Sequence, residues 1–363
     1  MKILDWYIIK KFIFSLFFTL LFFTMISVVI DISEKTEDFV RSQLSPWQIF
    51  LQYYIGFIPF ILATLMPIIT LITVIFFTSK MAGNSEIVAI ISSGVKYNRW
   101  LRPYLITGIF LSFILWILIN YIVPKTNIIK NRFEAKYIDA NSTYSKLLRT
   151  NNNIYFRLDS TTYCGIINYN DERMESGGFY IYKFKDKKLD YNLRSHGLLY
   201  DTAKKGWKLM NVYERWVKSN GEKVEMKDFE YRDLIFKPAD LTRDKYTKDK
   251  LNLPELRHLL YLEELRGSER IKELRIELYR RQSTPIMLIL LVLVGAITAG
   301  KKVRGGSGVH IAIGIILSSF FVLLDRFSTI FSTKGNLPPL IATTVPLLIF
   351  AIVVSYFYNK APK

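Results

Sequence analysis

The residues of this 363-residue chain that could do chemistry are few and poorly spaced for it. Gly295-Ala296-Ile297-Thr298-Ala299-Gly300-Lys301-Lys302 comes close to the phosphate-cradling pattern G-x-x-x-x-G-K-[ST]. It departs at the last position, where lysine replaces the hydroxyl that would reach magnesium, and it closes an apolar stretch instead of joining a strand to a helix. The three histidines, His196, His258 and His310, form neither H-E-x-x-H nor a nucleophile-base pair, and each reads as a surface or core side chain. Ser93-Gly94-Val95-Lys96 matches S-x-x-K without any companion motif. Cys164 is alone, so it closes no internal disulfide, and no Cys/His spacing makes a zinc site. The chain is therefore expected to have no catalytic residue, no metal and no cofactor of its own.

Its abundant material is hydrocarbon. Half of the residues are hydrophobic, and charge-poor runs near the roughly 20 residues that cross a bilayer occur six times, at 12–32, 47–79, 103–123, 283–300, 309–324 and 337–359. The second run, 33 residues without a formal charge, is about 50 Å long as a helix. It must tilt, kink at Pro59 or Pro67, or project from the membrane. The fifth is short unless it continues through Asp325 and Arg326 towards Phe331. Six spans with 12 basic residues in one set of short flanks against four in the other place both termini in the cytoplasm. The first run has no small-residue cleavage site after it and is expected to stay as a spanning helix. None of the spans carries a midplane Asp, Glu, His or Arg of the kind that couples transport to ions, so any work done has to be driven by another subunit.

Between the third and fourth runs lies a charged insert, expected on the far side of the membrane. Segments such as Ile154-Tyr155-Phe156-Arg157-Leu158 and Trp207-Lys208-Leu209-Met210-Asn211-Val212-Tyr213 alternate β-branched and aromatic residues with polar ones. Breaks are expected at Ser176-Gly177-Gly178, Lys204-Lys205-Gly206 and Asn220-Gly221. The pattern predicts an all-β sandwich or an open jellyroll-like sheet. After Pro254 leucines recur at helical spacing among Glu, Arg and Lys, which predicts amphipathic helices, separated at Gly267-Ser268, leading into span four. The expected organisation is thus an α-helical membrane protein with six transmembrane helices, three before and three after an inserted all-β domain. Its parts are spans one to three at 1–123, with a cytoplasmic helix about 84–96, a β-domain at 124–252, a helical connector at 253–282 and spans four to six at 283–363. The basic surface of the insert suits an anionic lipid or sugar-phosphate; nucleic acid lies on the other side of the membrane.

The loop between spans two and three reads Ala82-Gly83-Asn84-Ser85-Glu86-Ile87-Val88-Ala89-Ile90-Ile91-Ser92-Ser93-Gly94. Asn84 or Ser85 can cap a helix, Glu86 suits its first turn, Gly94 can end it, and Ile87, Ile90 and Ile91 give it one apolar face. Such a helix either receives an ATPase or rests on the membrane surface. This Ser-Glu stretch, the opening Leu4-Asp5-Trp6-Tyr7-Ile8, Met66-Pro67, Trp207-Lys208-Leu209, Val322-Leu323-Leu324-Asp325 and Leu337-Pro338-Pro339 together resemble the LptF/LptG family of permease subunits of the lipopolysaccharide-transport ABC exporter. The opening and the compact length favour the LptG side. The resemblance implies an inner-membrane protein with a periplasmic jellyroll, a second LptF/LptG-type permease, a dimeric cytoplasmic ABC ATPase, periplasmic β-jellyroll bridge proteins and lipopolysaccharide as cargo. It also implies that Glu86, with Ser85, Ile90 and Gly94, couples to the ATPase. Family members can carry lysine near the outer end of span one, where this chain has Asp31. Lys35, Arg41 and Arg326 are the basic residues expected at the outer rim to meet a lipid headgroup. The rivals are a permease for another lipid or for lipoproteins, and a membrane-anchored receptor or scaffold that transports nothing.

Overall fold

The computed structural model describes residues 3–138, 153–170, 173–186, 188–218, 221–234, 236–241, 247–266, 270–301 and 307–360. They fall into two units, one made of Met1–Phe133, Lys248–Leu256 and Lys272–Lys363, the other of Glu134–Thr247 and Arg257–Ile271. The expected break at Gly267-Ser268, the turn residue Asn220 and the flanking basic residues Lys2, Lys302, Arg304 and Lys363 lie outside the described residues.

The described helices of seven residues or more are α1 (Ile3–Arg41), α2 (Pro46–Gly83), α3 (Glu86–Ser92), α4 (Tyr97–Ile138), α5 (Leu253–Arg266), α6 (Ile271–Ala299), α7 (Ser307–Thr333) and α8 (Pro339–Asn359). Six of them, all but α3 and α5, are long and apolar enough to cross a membrane. Most outrun the charge-free runs that announce them. The helix of span three does not stop at 123 but continues to Ile138, the connector after Ile271 is one helix with span four, and span five passes through Asp325 and Arg326 to Thr333.

α2 opens with a capping box, Ser45 and Gln48 exchanging side-chain and backbone bonds around Pro46. One π-helical turn, Glu134–Ile138, ends α4, and two others interrupt the regular spans, Phe50–Tyr54 in α2 and Leu118–Ile122 in α4. Each of the latter two adjoins a carbonyl that a proline four residues on cannot bond, that of Ile55 for Pro59 and that of Asn120 for Pro124. The helices then pack through aromatic rings. Phe12 of α1 stacks on Phe77 of α2 at 5.2 Å, and Phe77 on Tyr104 of α4 at 5.7 Å. The Tyr104 hydroxyl lies 3.1 Å from Thr78 Oγ1, so this buried polar atom is satisfied within the bundle. At Gly56 the backbones of α2 and α4 come so close that a Cβ would sit 2.5 Å from Thr126 O.

The other unit is built on a six-stranded antiparallel sheet in consecutive order: β1 (Ile154–Arg157), β2 (Thr162–Asn170), β3 (Glu175–Lys185), β4 (Lys188–Asp201), β5 (Gly206–Lys218) and β6 (Gly221–Arg232). Its core is Ile166, Phe179, Leu193, Leu198, Trp207 and Leu209, and the Trp207 indole donates to Phe236 O at 2.8 Å. Lys204-Lys205-Gly206 is the expected turn, but Ser176-Gly177-Gly178 is not a break. It lies inside β3, on a crease that crosses the sheet. On β2 the inward residues run Thr162, Cys164, Ile166 and then Tyr169, and on β5 Trp207, Leu209 and then Val212, Glu214. The parity changes at Asn168 and Asn211, both in the left-handed region with φ of 53° and 50°. The pairs Ile167–Gly178, Ser176–Leu198 and Gly197–Met210 align these changes from strand to strand. Glycines and asparagines therefore bend the sheet where alternation alone predicts straight strands.

Candidate functional site

Three clusters in the helical unit contain the residues that the sequence singles out. The first surrounds α3. Ile87 is buried in the bundle core, and Ile90 and Ile91, partly buried, pack against it, so the apolar face is an anchor. The opposite face, with Val88 and Ala89, is exposed. Ser85 precedes the helix in the left-handed region (φ 60°) and makes no side-chain capping bond, whereas Gly94 ends it with φ 83°, as expected of a terminating glycine.

Glu86 points back to α1. Its carboxylate accepts from the Tyr7 hydroxyl at 3.1 Å and from Lys11 Nζ at 3.3 Å, and Asn84 Nδ2 reaches it at 3.3 Å. Burial works against ionisation of this carboxyl, but the donors Asn84, Tyr7 and Lys11, with the Lys11 charge, outweigh it and hold it below the ordinary glutamate range. One turn earlier in α1, Asp5, almost fully buried, takes a two-pronged pair from Arg99 of α4 at 2.6 and 2.7 Å. Nothing in the sequence joins Lys11 or Tyr7 to Glu86; only the helix packing does.

The second cluster is at the far end of α1. The buried Asp31 carboxylate accepts from the hydroxyls of Tyr53 (3.0 Å) and Tyr54 (3.1 Å) and pairs with Lys35 Nζ at 2.9 Å. Two consecutive tyrosines reach one carboxylate because they sit in the π-helical turn, where the advance per residue is smaller than in an α-helix. Phe39 packs on both rings and on Phe133. Lys35 also hydrogen-bonds Tyr53 and lies over its ring, while Arg41 pairs with Glu37 on its own helix. These two cations are thus engaged within the chain, although Arg41 stays exposed.

Arg326 belongs to a third cluster. It lines an open cleft of about 340 Å³ with Arg280, Arg281, Lys248, Asp249 and Glu277. Arg281, nearly buried, donates to the carbonyls of Leu251 (2.6 Å) and Lys248 (2.8 Å) and pairs with Glu277 at 2.9 Å, so it fastens the 248–252 segment to α6. Arg280 reaches Asp325 at 3.4 Å. Burial disfavours the Lys248 charge, but Glu273, Asp249 and Glu277 more than offset it and keep the ammonium above its usual range. Burial, then the like charge of Glu277, pushes the Asp249 carboxyl up against the pull of Lys248, Lys130 and Arg281. The structure brings Lys35 and Arg41 onto one helix end and puts Arg326 in the cleft. None of the three clusters has the nucleophile-base geometry of an enzyme; they are joints and charged surfaces.

The family model for the lipopolysaccharide export system permease LptF/LptG matches residues 6–360. No curated protein matches the chain.

Proposed function

The chain belongs to the LptF/LptG family of lipopolysaccharide export permeases, and from that premise we propose that it is one of two permease subunits of an ABC exporter. The exporter extracts lipopolysaccharide from the inner membrane and passes it to β-jellyroll bridge proteins in the periplasm. The observation that carries this reading is the match over nearly the whole chain to a multi-pass architecture of three spans, an antiparallel sheet and three spans. In this reading both termini and α3 are cytoplasmic, the sheet is periplasmic, and ATP is hydrolysed by a dimeric ATPase that is a separate subunit.

α3 supports the coupling role because it is anchored on one face and open on the other. Ile87 and Ile90 fix it to the spans, and Ser85 and Gly94, both left-handed, set the two bends that hold it across the helix ends. At the outer rim the headgroup phosphates exchange their counterions for fixed cations. Arg326, exposed on the cleft, is open to such a contact, whereas Lys35 has to share its ammonium with Asp31 and Tyr53. Arg41 is accessible but shared with Glu37.

The test is an exporter purified with its ATPase and second permease in lipid nanodiscs. Lipopolysaccharide should stimulate ATP turnover, and Glu86→Lys should abolish that response while the protein stays folded and inserted. An ATPase indifferent to lipopolysaccharide, or a Glu86→Lys exporter that works normally, would overturn the assignment. Photocrosslinkers at positions 35, 41 and 326 separately test the headgroup contact. Capture of lipopolysaccharide at none of them, under conditions where the β-domain captures it, removes that part.

A further inference from the structure

α1 differs from the other spanning helices in its sequence and in how it is attached. Among the described residues of the six, it alone has neither proline nor glycine, over 39 residues. Those are the residues at which helices kink, so α1 is an unbroken rod about 58 Å long. Its buried side chains are Asp5, Ile8, Ile9, Phe12 and Leu16 near one end, and Asp31 and Phe39 near the other. From Phe17 to Ile30 no residue is buried. The rod is buried near its two ends, and between them it packs partly against the bundle through Leu20 and Phe23.

Each attachment combines apolar packing with a polar joint. At the first, Lys11 and Tyr7 hold Glu86 of α3, and Lys11 Nζ also lies 3.0 Å from the Tyr7 hydroxyl, which closes a three-membered network. At the second, Asp31 holds Tyr53 and Tyr54 of α2. The covalent routes out of α3 are less stiff. They pass through Ser85 and Gly94, both left-handed bends, and then into helices that carry Pro59 and Pro67 or Pro103. A displacement of α3 therefore reaches the spans through the Ile87 anchor in the core and, through the Glu86 joint, directly into α1, the straight helix among them.

We propose that α1 is a strut that carries movement of α3 to the far end of the membrane unit, and that Lys11 and Tyr7 are the positioning residues that connect it. This rests on the docking role given to α3 above, and it adds a second task for Glu86, an internal joint alongside any contact with the ATPase. Removing Lys11 should leave the ATPase bound and turning over while the far end of α1 ceases to follow.

The experiment uses the complete exporter in nanodiscs with Cys164→Ser and a spin label at Val88→Cys on α3 or Val29→Cys on α1, near the Asp31 joint. Both positions are exposed, 49% and 65%. In the parent, both labels should change their spectra between the nucleotide-free and vanadate-trapped states. With Lys11→Met the Val88 label should still respond, the Val29 response should shrink about fivefold or more, and lipopolysaccharide exported per ATP should fall with it. Lys11→Arg should restore both, which loss of mere packing would not explain, and Tyr7→Phe should give a partial loss in the same direction. An undiminished Val29 response in Lys11→Met, or no response there in the parent, overturns the strut. A silent Val88 label in the parent instead removes the docking reading, and the strut with it.

Discussion

Replacing Asp31 should destabilise the helical unit in a graded way that the local geometry sets. The carboxylate side chain is only 8% exposed and has three donors, Tyr53, Tyr54 and Lys35. Asp31→Asn keeps a carbonyl oxygen for the tyrosines but removes the charge facing Lys35. Lys35 is 22% exposed and can turn towards water, so the loss is close to that of one charge-assisted bond, about 1.5–3 kcal/mol. Asp31→Ala also takes this acceptor from two tyrosine hydroxyls in a packed aromatic cluster. The total should approach the roughly 3–5 kcal/mol of a broken buried pair. Removing both charges, Asp31→Ala with Lys35→Met, should recover at most about 1 kcal/mol of that, because a lone Lys35 can already turn towards water. The assay is denaturant unfolding of the purified protein in mixed micelles, followed by the fluorescence of buried Trp100. If Asp31→Ala unfolds with the parent, or the double variant is less stable than Asp31→Ala alone, the clasp does not hold α1 to α2 in the way described.

Gly56→Ala should cost about 1–3 kcal/mol or more in the same assay, because the new methyl meets a backbone carbonyl at 2.5 Å, whereas Gly314→Ala should be nearly silent because it meets the movable end of Ile75. Asn211→Val should lower the midpoint of thermal unfolding by forcing a β-branched residue into the left-handed region at about 1–2 kcal/mol, and Asn211→Gly should not. Asp249 has its carboxyl raised in the fold, so the stability it contributes is fully present below the ordinary aspartate value of 3.8 and is lost as pH rises through the raised value. Asp249→Asn should therefore flatten the decline of the midpoint as pH rises from 3.8 through the raised value, and leave the variant at least as stable as the parent near neutrality; a steeper decline would show that Asp249 is favoured as an anion.

Runs such as 47–79 identify the spans because a charge-free stretch of that length has one inexpensive environment. Their ends are not legible in the same way. Lys35 reads as a rim residue and Asn127 and Lys130 as part of the inserted domain, yet they continue helices, with partners in other helices or in the 248–252 segment. Alternation predicts the strands of the insert but not the crease. It depends on Asn168 and Asn211 adopting a left-handed backbone, which sequence permits without requiring. Ser176-Gly177-Gly178 shows the cost of reading glycine pairs only as turns, since here they let a strand bend and continue.

The site divides along the same line. Glu86 is visible because an acid opens a short helix between two spans, and Gly94 because it closes it. Lys11 and Tyr7, 75 and 79 positions away from Glu86, acquire their role only through the packing of α1 against α2 and α4. Tyr53 and Tyr54 converge on Asp31 only through a π-helical turn, which leaves no compositional mark. Ile90, expected among the coupling residues, is partly buried against the core, while Val88 and Ala89 beside it are exposed.

The central claim is that this chain is a permease through which ATP hydrolysis elsewhere extracts lipopolysaccharide. Its most direct test is transfer: proteoliposomes loaded with lipopolysaccharide and the reconstituted exporter are incubated with a soluble periplasmic β-jellyroll acceptor carrying a photocrosslinker. ATP should bring lipopolysaccharide onto the acceptor when this chain is present as the parent sequence, and not when it carries Glu86→Lys or when a non-hydrolysable nucleotide replaces ATP. Transfer that proceeds without this chain, or ATP-driven transfer of another lipid or a lipoprotein in preference to lipopolysaccharide, would contradict the account.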